Sequence, residues 1–368
     1  MEPRIRVRTS RRVSGAQKVV GDLAEDSLIE RILGRLRQPP EGEVWAGDDA
    51  AVLRPPPGDL LFTTDVLVEG VDFSWGWCSG HDVGWKAMAV NASDIAAMGG
   101  RPGHALATLA LSAATPVALV DDIVGGLVES AAAVGIDLVG GDISSARELS
   151  LGVALLGAAG PHGAVTRSGA RVGDALCVTG HLGGAAGGLT VLREGLWTDA
   201  LLSGPAEPGP RLSGGPAEPG PRPGLRRLAA RQLRPRARTH EGQALAALGA
   251  TSMIDVSDGL LLDLLRLMTA AGHGCWVDPG LIPVDPDLSE IAGVLVSEED
   301  LVSLAARGGE DFELLFTMDA RRVARARAEL AENVQVTQIG VVTEAGCRFG
   351  DEDIESMEQL GWEHLRNR

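Results

Sequence analysis

The sequence predicts a mixed α/β (α+β) protein of two domains, each a mixed β-sheet flanked by helices. Three observations carry that expectation. The chain has 368 residues, 45% of them hydrophobic, which is long for one core and sufficient for two. Short, β-branched apolar stretches alternate with longer stretches of helical period. A series of strands closes near Gly163, and "RVGDALCVTG" then opens a second unit with a fresh strand.

Residues 1–18 are Arg-rich and lack the apolar centre of a secretory signal, so they read as a flexible basic extension. The first domain is expected over residues 19–163. There "EDSLIERILGRL" spaces Leu28, Ile29, Ile32, Leu33 and Leu36 as a helix does, and "GDLLFTTDVLVEGVDF" reads as strand. "HDVGWKAMAVNASDIAAMGG" is helical and stops at Gly99-Gly100. A strand at "HALATLALS", a helix at "VALVDDIVGGLVESAAAVG" and strands at "DLVGGDISS" and "LSLGVALLGAAG" complete it. The second domain is expected over 164–368. Its "GHLGGAAGGL" starts a helix, and suits either amide contacts to a phosphate or a plain tight turn. Residues 199–226 carry "GPAEPGPR" twice, at 204–211 and 215–222; Pro and Gly at this density predict a disordered surface insertion.

Composition narrows the function. A net charge of −17 argues against a broad nucleic-acid surface, and no apolar run is long enough to span a membrane. Cys78, Cys177, Cys275 and Cys347 lie far apart with no CxxC pair, which fits neither a zinc site nor a disulfide framework and suggests the cytoplasm. The only lysines, Lys18 and Lys86, do not follow GxxxxG, so there is no P-loop; nor is there a GxGxxG of dinucleotide spacing.

What remains is a recurring aspartate. It appears in "AGDDAAVL" (Asp48, Asp49), "FTTDVL" (Asp65), "NASDIAAMGG" (Asp94), "VGGDISS" (Asp142) and "IDVSDGL" (Asp255, Asp258), mostly at strand ends or beside Gly-rich turns. Taken singly, Asp258 suits a helix cap, Asp48 or Asp49 an Asx-turn, and Asp142 a turn closure. Asp94 sits near a helix C-terminus, where the dipole disfavours an anion, unless an arginine compensates. As a set, hard oxygen donors on apolar frames suit Mg²⁺, which bridges a few carboxylates and nucleotide phosphates.

The series GDDAAV, TTDxLVEGVxF, KAMAVNxSDIAAMGG, GGDIS, TRSGARxGD, IDVSDGL and GGEDFELLF, in that order from about Asp22 onward, resembles the thiamine-monophosphate kinase family. That family belongs to the aminoimidazole-ribotide-synthetase superfamily. The resemblance implies an aminoimidazole-ribotide-synthetase-like fold and a homodimer paired through N-terminal strands. It implies Mg²⁺-dependent transfer of the ATP γ-phosphate to thiamine monophosphate, with several Mg²⁺ ions and ATP as co-substrate. By residue match, Asp49, Asp65, Asp94, Asp142, Asp255 and Asp258 are implied as the catalytic metal ligands, with Thr63 and Thr64 adding oxygen contacts. Gly141, Asp142, Arg167 and Ser257 match positions near ATP; Glu310 and Trp362 match positions near the substrate.

Each of these has a plainer alternative: a surface ion pair for Arg167, core packing for Trp362, a solvated loop carboxylate for Glu310. Lys86, in "KAMAVN", is expected mainly to pack its aliphatic stem on a helix face. One departure stands out on the substrate side: the family usually carries His after "VEGV", and this chain has Asp72. The acceptor being itself a phosphate with a second pKa of about 6, no general base is required; the problem is repulsion between two polyanions. Two rivals remain, a sister ATP-using synthetase and a non-catalytic thiamine-phosphate sensor. The first is disfavoured because no Cys precedes Cys78 and the chain ends in "LRNR".

Overall fold

The computed structural model describes residues 18–196, 222–297 and 300–363. The predicted basic extension, apart from Lys18, and the tandem "GPAEPGPR" stretch lie outside the described residues. Residues Pro223–Leu233 form a helix, so the disorder expected as far as 226 overruns an ordered element. Pro at the first helical turn is pre-set for a helix, and the Glu290 carboxylate accepts from the Gly224 and Leu225 amides.

The first half comprises α1 (Glu25–Leu33), β1 (Leu60–Val68), α2 (Gly80–Ala97), β2 (Arg101–Leu111), α3 (Val117–Val134), β3 (Asp137–Ser145) and β4 (Ser150–Ala158). Its four-stranded sheet runs β1-β4-β2-β3; β2 and β3 are parallel through the α3 crossover, the other pairs antiparallel. The second half comprises β5 (Ala175–Thr179), α4 (Gly184–Arg193), α5 (Pro223–Leu233), α6 (Thr239–Leu248), β6 (Ala250–Asp255), α7 (Leu260–Ala271), β7 (Gly274–Val277) and α8 (Leu301–Arg307). It continues with β8 (Leu314–Met318), α9 (Val323–Leu330), β9 (Val336–Thr343), β10 (Cys347–Phe349) and β11 (Glu352–Asp353). These strands form one seven-stranded sheet in the order β11-β10-β7-β9-β5-β8-β6, antiparallel except for β7 with β10.

Alternation along β1 turns Leu61 and Leu67 inward, where they pack with Met88, Ile95, Ile123 and Leu155 from α2, α3 and β4. The opposite face is uncovered: Leu60, Phe62 and Val66 are 55%, 68% and 55% exposed, with Leu106 of β2 beside them. A capping box at Ser79 and Asp82 starts α2, and Gly99 ends it with φ +67, a left-handed turn that glycine adopts without strain. α2 is buried on almost every side because α3 and the first sheet take one flank while α6 and β6 take the other. Ala96 and Ala97 belong to the same apolar cluster as Leu245, Met253 and Phe316 of the second half. α2 is therefore the joint between the two sheets, and polar residues on it reach both.

Candidate active site

Thr63 and Asp65 share the face of β1 that α2 covers, and three polar residues of α2 meet them there. The Asp65 amide donates to Asn91 Oδ1 at 3.0 Å, and Thr63 Oγ1 donates to the Asp94 carboxylate. Ser93 Oγ donates to Asp255 Oδ2 at 2.6 Å, tying the last residue of β6 to the same helix. Asp65, Asp94 and Asp255 are thereby brought together from three elements. Burial pushes the Asp65 carboxyl up to about 6, and the charge of Asp94 adds to this. Burial also raises Asp94, against the hydrogen bond from Thr63. Asp255 is pushed up to about 7, first by burial and then by Asp94. The charge of Asp94 thus disfavours ionisation of both Asp65 and Asp255, and Arg167 offsets part of the cost at Asp94 itself.

The donor set is the kind Mg²⁺ takes. Among the described residues no group of three or more His, Cys, Asp or Glu side chains forms a metal cage. Mg²⁺ is usually held by one or two carboxylates together with substrate phosphates and water, so paired aspartates facing open space fit it.

Asp258 does not cap α7. Gly259 occupies the N-cap with φ +124, and Asp263 reaches back to accept from the amides of Ser257, Asp258 and Gly259 at 3.0, 2.9 and 3.2 Å. Asp258 instead pairs with Arg266 at 2.6 Å, a guanidinium it shares with Asp263. Arg266 is thus a local counter-charge that the sequence reading did not anticipate.

A cleft of about 480 Å³ opens from this group, lined by Asp65, Asp94, Asp255, Ser257 and Asp258 and also by Asp72, Lys86, Glu310 and Trp362. Lys86 does more than pack its stem: it is 4% exposed and its Nζ lies 2.5 Å from Glu310 Oε1. Glu310 is accordingly no solvated loop carboxylate, and its other oxygen accepts from Gln232. Trp362 is not core packing; its amide donates to the Asp258 carbonyl at 2.9 Å, and the residue is 39% exposed at the cleft. Asp72 accepts from the Val68 amide at 2.8 Å, closing the turn after β1, and its charge also raises Asp65.

The remaining aspartates stand elsewhere. Asp49, Gly141 and Asp142 line a second cavity of about 780 Å³, which Phe62 and Leu106 also line. Asp48 accepts from the Asp49 amide at 2.8 Å, one residue on, which is not the Asx-turn bond to the amide two residues on. Gly141 admits β2 at close range, since a Cβ there would lie 1.9 Å from the Ala107 carbonyl oxygen. Thr64, adjacent to Thr63, points to the other face of β1 and donates to the Val153 carbonyl at 3.0 Å. A single chain therefore does not gather all the expected ligands in one place; strand alternation divides them. Arg167, in a short 3₁₀ turn, lies near enough to Asp94 to lower its pKa. The "GHLGGAAGGL" amides are already taken: Gly183 and Ala185 donate to Asp311 at 2.6 and 2.9 Å, so the tight-turn reading holds for them.

Asn91, Ser93, Gln232, Asp263 and Asp311 were not singled out from sequence. The signal for the first two was present, as polar residues interrupting an otherwise apolar helix in "AVNASDIAAM".

Residues 47–159 match the family described as AIR synthase related protein, N-terminal domain. The thiamine-monophosphate kinase of Escherichia coli K12 is 34% identical over 348 residues, spanning 93% of this chain and 98% of that one. The crystal structure of thiamine-monophosphate kinase from Stenotrophomonas maltophilia superimposes with a TM-score of 0.73 at 32% identity, covering 89% of this chain and 96% of that chain. A structure described as AaThiL complexed with AMPPCP and TMP gives a TM-score of 0.68 at 29% identity, covering 92% of this chain and 94% of that chain.

Proposed function

The chain belongs to the thiamine-monophosphate kinase family, and from that premise we propose how its residues divide the work of passing a phosphoryl group from ATP to thiamine monophosphate. The reaction yields thiamine diphosphate and ADP. The observation that carries this assignment to the cleft is the convergence of Asp65, Asp94 and Asp255 in one cleft with Glu310 and Trp362. An acidic, oxygen-rich group thus shares the cleft with side chains able to bind an organic cation.

Asp65, Asp94 and Asp255 would hold Mg²⁺, with Asp49, Asp142, Asp258, Thr63 and Thr64 as further ligands for the several ions the family resemblance implies. When bound, Mg²⁺ neutralises the facing phosphates and keeps the displacement in line. The chain's own residues do the rest. Ser93 and Thr63 fix the rotamers of Asp255 and Asp94 through their hydroxyls. Asn91 holds the β1 backbone at Asp65. Gly141, Asp142, Arg167 and Ser257 are assigned to ATP, Arg167 as a guanidinium near the phosphates. Trp362 offers an indole face to the cationic thiazolium, and Glu310, held by Lys86, accepts from the polar ring. Asp72 faces the same substrate. No residue need remove a proton, because the acceptor phosphate is mostly ionised at neutral pH.

The uncovered face of the first sheet, with Leu60, Phe62, Val66 and Leu106, is assigned to a homodimer. Phe62→Glu is expected to convert a dimer to a monomer in sedimentation velocity. An unchanged sedimentation coefficient would place any dimer contact elsewhere. The free thiols of Cys78, Cys177, Cys275 and Cys347 agree with assignment to the cytoplasm.

The activity is tested by phosphorus NMR on purified protein with ATP, Mg²⁺ and thiamine monophosphate. The expected result is thiamine diphosphate together with ADP, and no such product when thiamine replaces its monophosphate. Folded protein that yields no diphosphate signal would overturn the assignment.

A further inference from the structure

Only three non-glycine residues among those described have positive φ, and two of them, Glu310 (φ 67) and Phe312 (φ 50), flank Asp311. Left-handed backbone is unfavourable for side chains of this size. Two such residues one apart in the chain persist only where the surroundings over-determine them. On one side the turn is laced to the segment between Asp255 and Asp258. The Glu310 amide donates to the Ser257 carbonyl at 2.7 Å, and the Phe312 amide to the Val256 carbonyl at 2.9 Å. On the other side Asp311, between the two strained residues, accepts from the Gly183 and Ala185 amides at the start of α4.

These contacts give the turn two opposite outputs. Glu310 faces the cleft and meets Lys86, while Asp311 faces away into a separate cavity it shares with His181, Arg231 and Glu313. If the Asp311 anchor is released, the unfavourable φ values lose one of the supports that hold them. Relaxation at either residue rotates the Glu310 side chain away from Lys86 and Gln232.

We propose that Asp311 is a positioning residue for substrate recognition, clamping the left-handed turn onto the glycine-rich start of α4 so that Glu310 is held in the cleft. The proposal rests on the assignment of thiamine monophosphate to that cleft. It gives "GHLGGAAGGL" a function other than phosphate binding: its amides hold the substrate-reading turn from behind.

The test uses the full-length protein with Asp311→Asn, which keeps the volume and one acceptor, and with Asp311→Ala. Wild-type turnover of thiamine monophosphate checks the underlying assignment separately from either variant. For Asp311→Asn the expected result is a rise of about tenfold in KM for thiamine monophosphate with KM for ATP unchanged. Faster amide exchange confined to residues 308–313 should accompany it. In a Glu310→Gln background the same substitution should add little further change, because both act through one side chain. If Asp311→Ala fails to fold, Asp311→Asn decides alone. A lowered Tm with unaltered KM for thiamine monophosphate, or full additivity with Glu310→Gln, would overturn the proposal and leave Asp311 as a helix cap only.

Discussion

Replacing Asp65 with asparagine is expected to lower turnover of thiamine monophosphate on the order of 10²–10³-fold without harming the fold. The two effects have one origin. Asp65 is forced towards Asp94 by the packing of β1 on α2, and its carboxyl is pushed up to about 6 by burial and by that neighbour. A carboxyl raised in the folded state favours folding at low pH, where it is protonated in both states. Its penalty grows as pH rises from the ordinary carboxylate range through about 6 and is complete above it. Metal-free wild type should therefore lose stability between pH 4 and pH 7, and Asp65→Asn should show a flatter profile with an equal or higher Tm at pH 8.

Added Mg²⁺ should reverse that order. At a concentration a hundredfold above its Kd, a ligand specific to the folded state adds about 2.7 kcal/mol. Wild type should gain that stabilisation and Asp65→Asn should gain much less. Calorimetric melts with EDTA and with Mg²⁺, beside steady-state turnover, check both halves. Full turnover by Asp65→Asn would remove Asp65 from the transfer machinery.

Gly84→Val is expected to be the most damaging single change to the scaffold. α2 and α3 approach so closely that a Cβ on Gly84 would lie 1.9 Å from the Ile123 carbonyl oxygen, and one on Gly126 2.0 Å from that of His81. Both obstacles are backbone, so no side chain can swing clear. Separating the helices would open the core around Met88 and Ile123 and displace the residues that α2 presents, Lys86, Asn91, Ser93 and Asp94. A loss of about 3 kcal/mol or more is expected, lowering Tm by roughly 4 °C or more, with turnover falling in whatever protein folds. Gly125→Ala is the control. The nearest atoms to its Cβ are 3.8 Å away, so thermal melts should show it neutral or slightly stabilising. Equal melting temperatures for Gly84→Val and wild type would contradict the close helix crossing.

The candidate site was legible in the sequence to an uneven degree. Asp65, Asp94 and Asp255 were visible because each is an acid in an apolar run, and the structure brings these three together. Asp49 and Asp142 carry the same local signature yet line a different cavity, since nothing in a short motif says which face of which sheet it will occupy. Lys86 looked like a packing residue because its partner, Glu310, is far along the chain. Asp258 looked like a cap because capping is a local property; its arginine partner and the competing Asp263 emerge only once α7 has formed.

By itself the sequence determined which stretches of the first half become strands and helices, where α2 stops, and which residue types could carry phosphate chemistry. Backbone preference, side-chain period and glycine's access to positive φ act between near neighbours and are written locally. The tertiary structure alone decided the strand order β1-β4-β2-β3, the face on which Phe62 stays exposed, the Ser93–Asp255 contact and the left-handed turn at Glu310 and Phe312. Those depend on which distant surfaces can pack with their buried polar groups satisfied. That choice belongs to the whole chain and to no segment of it.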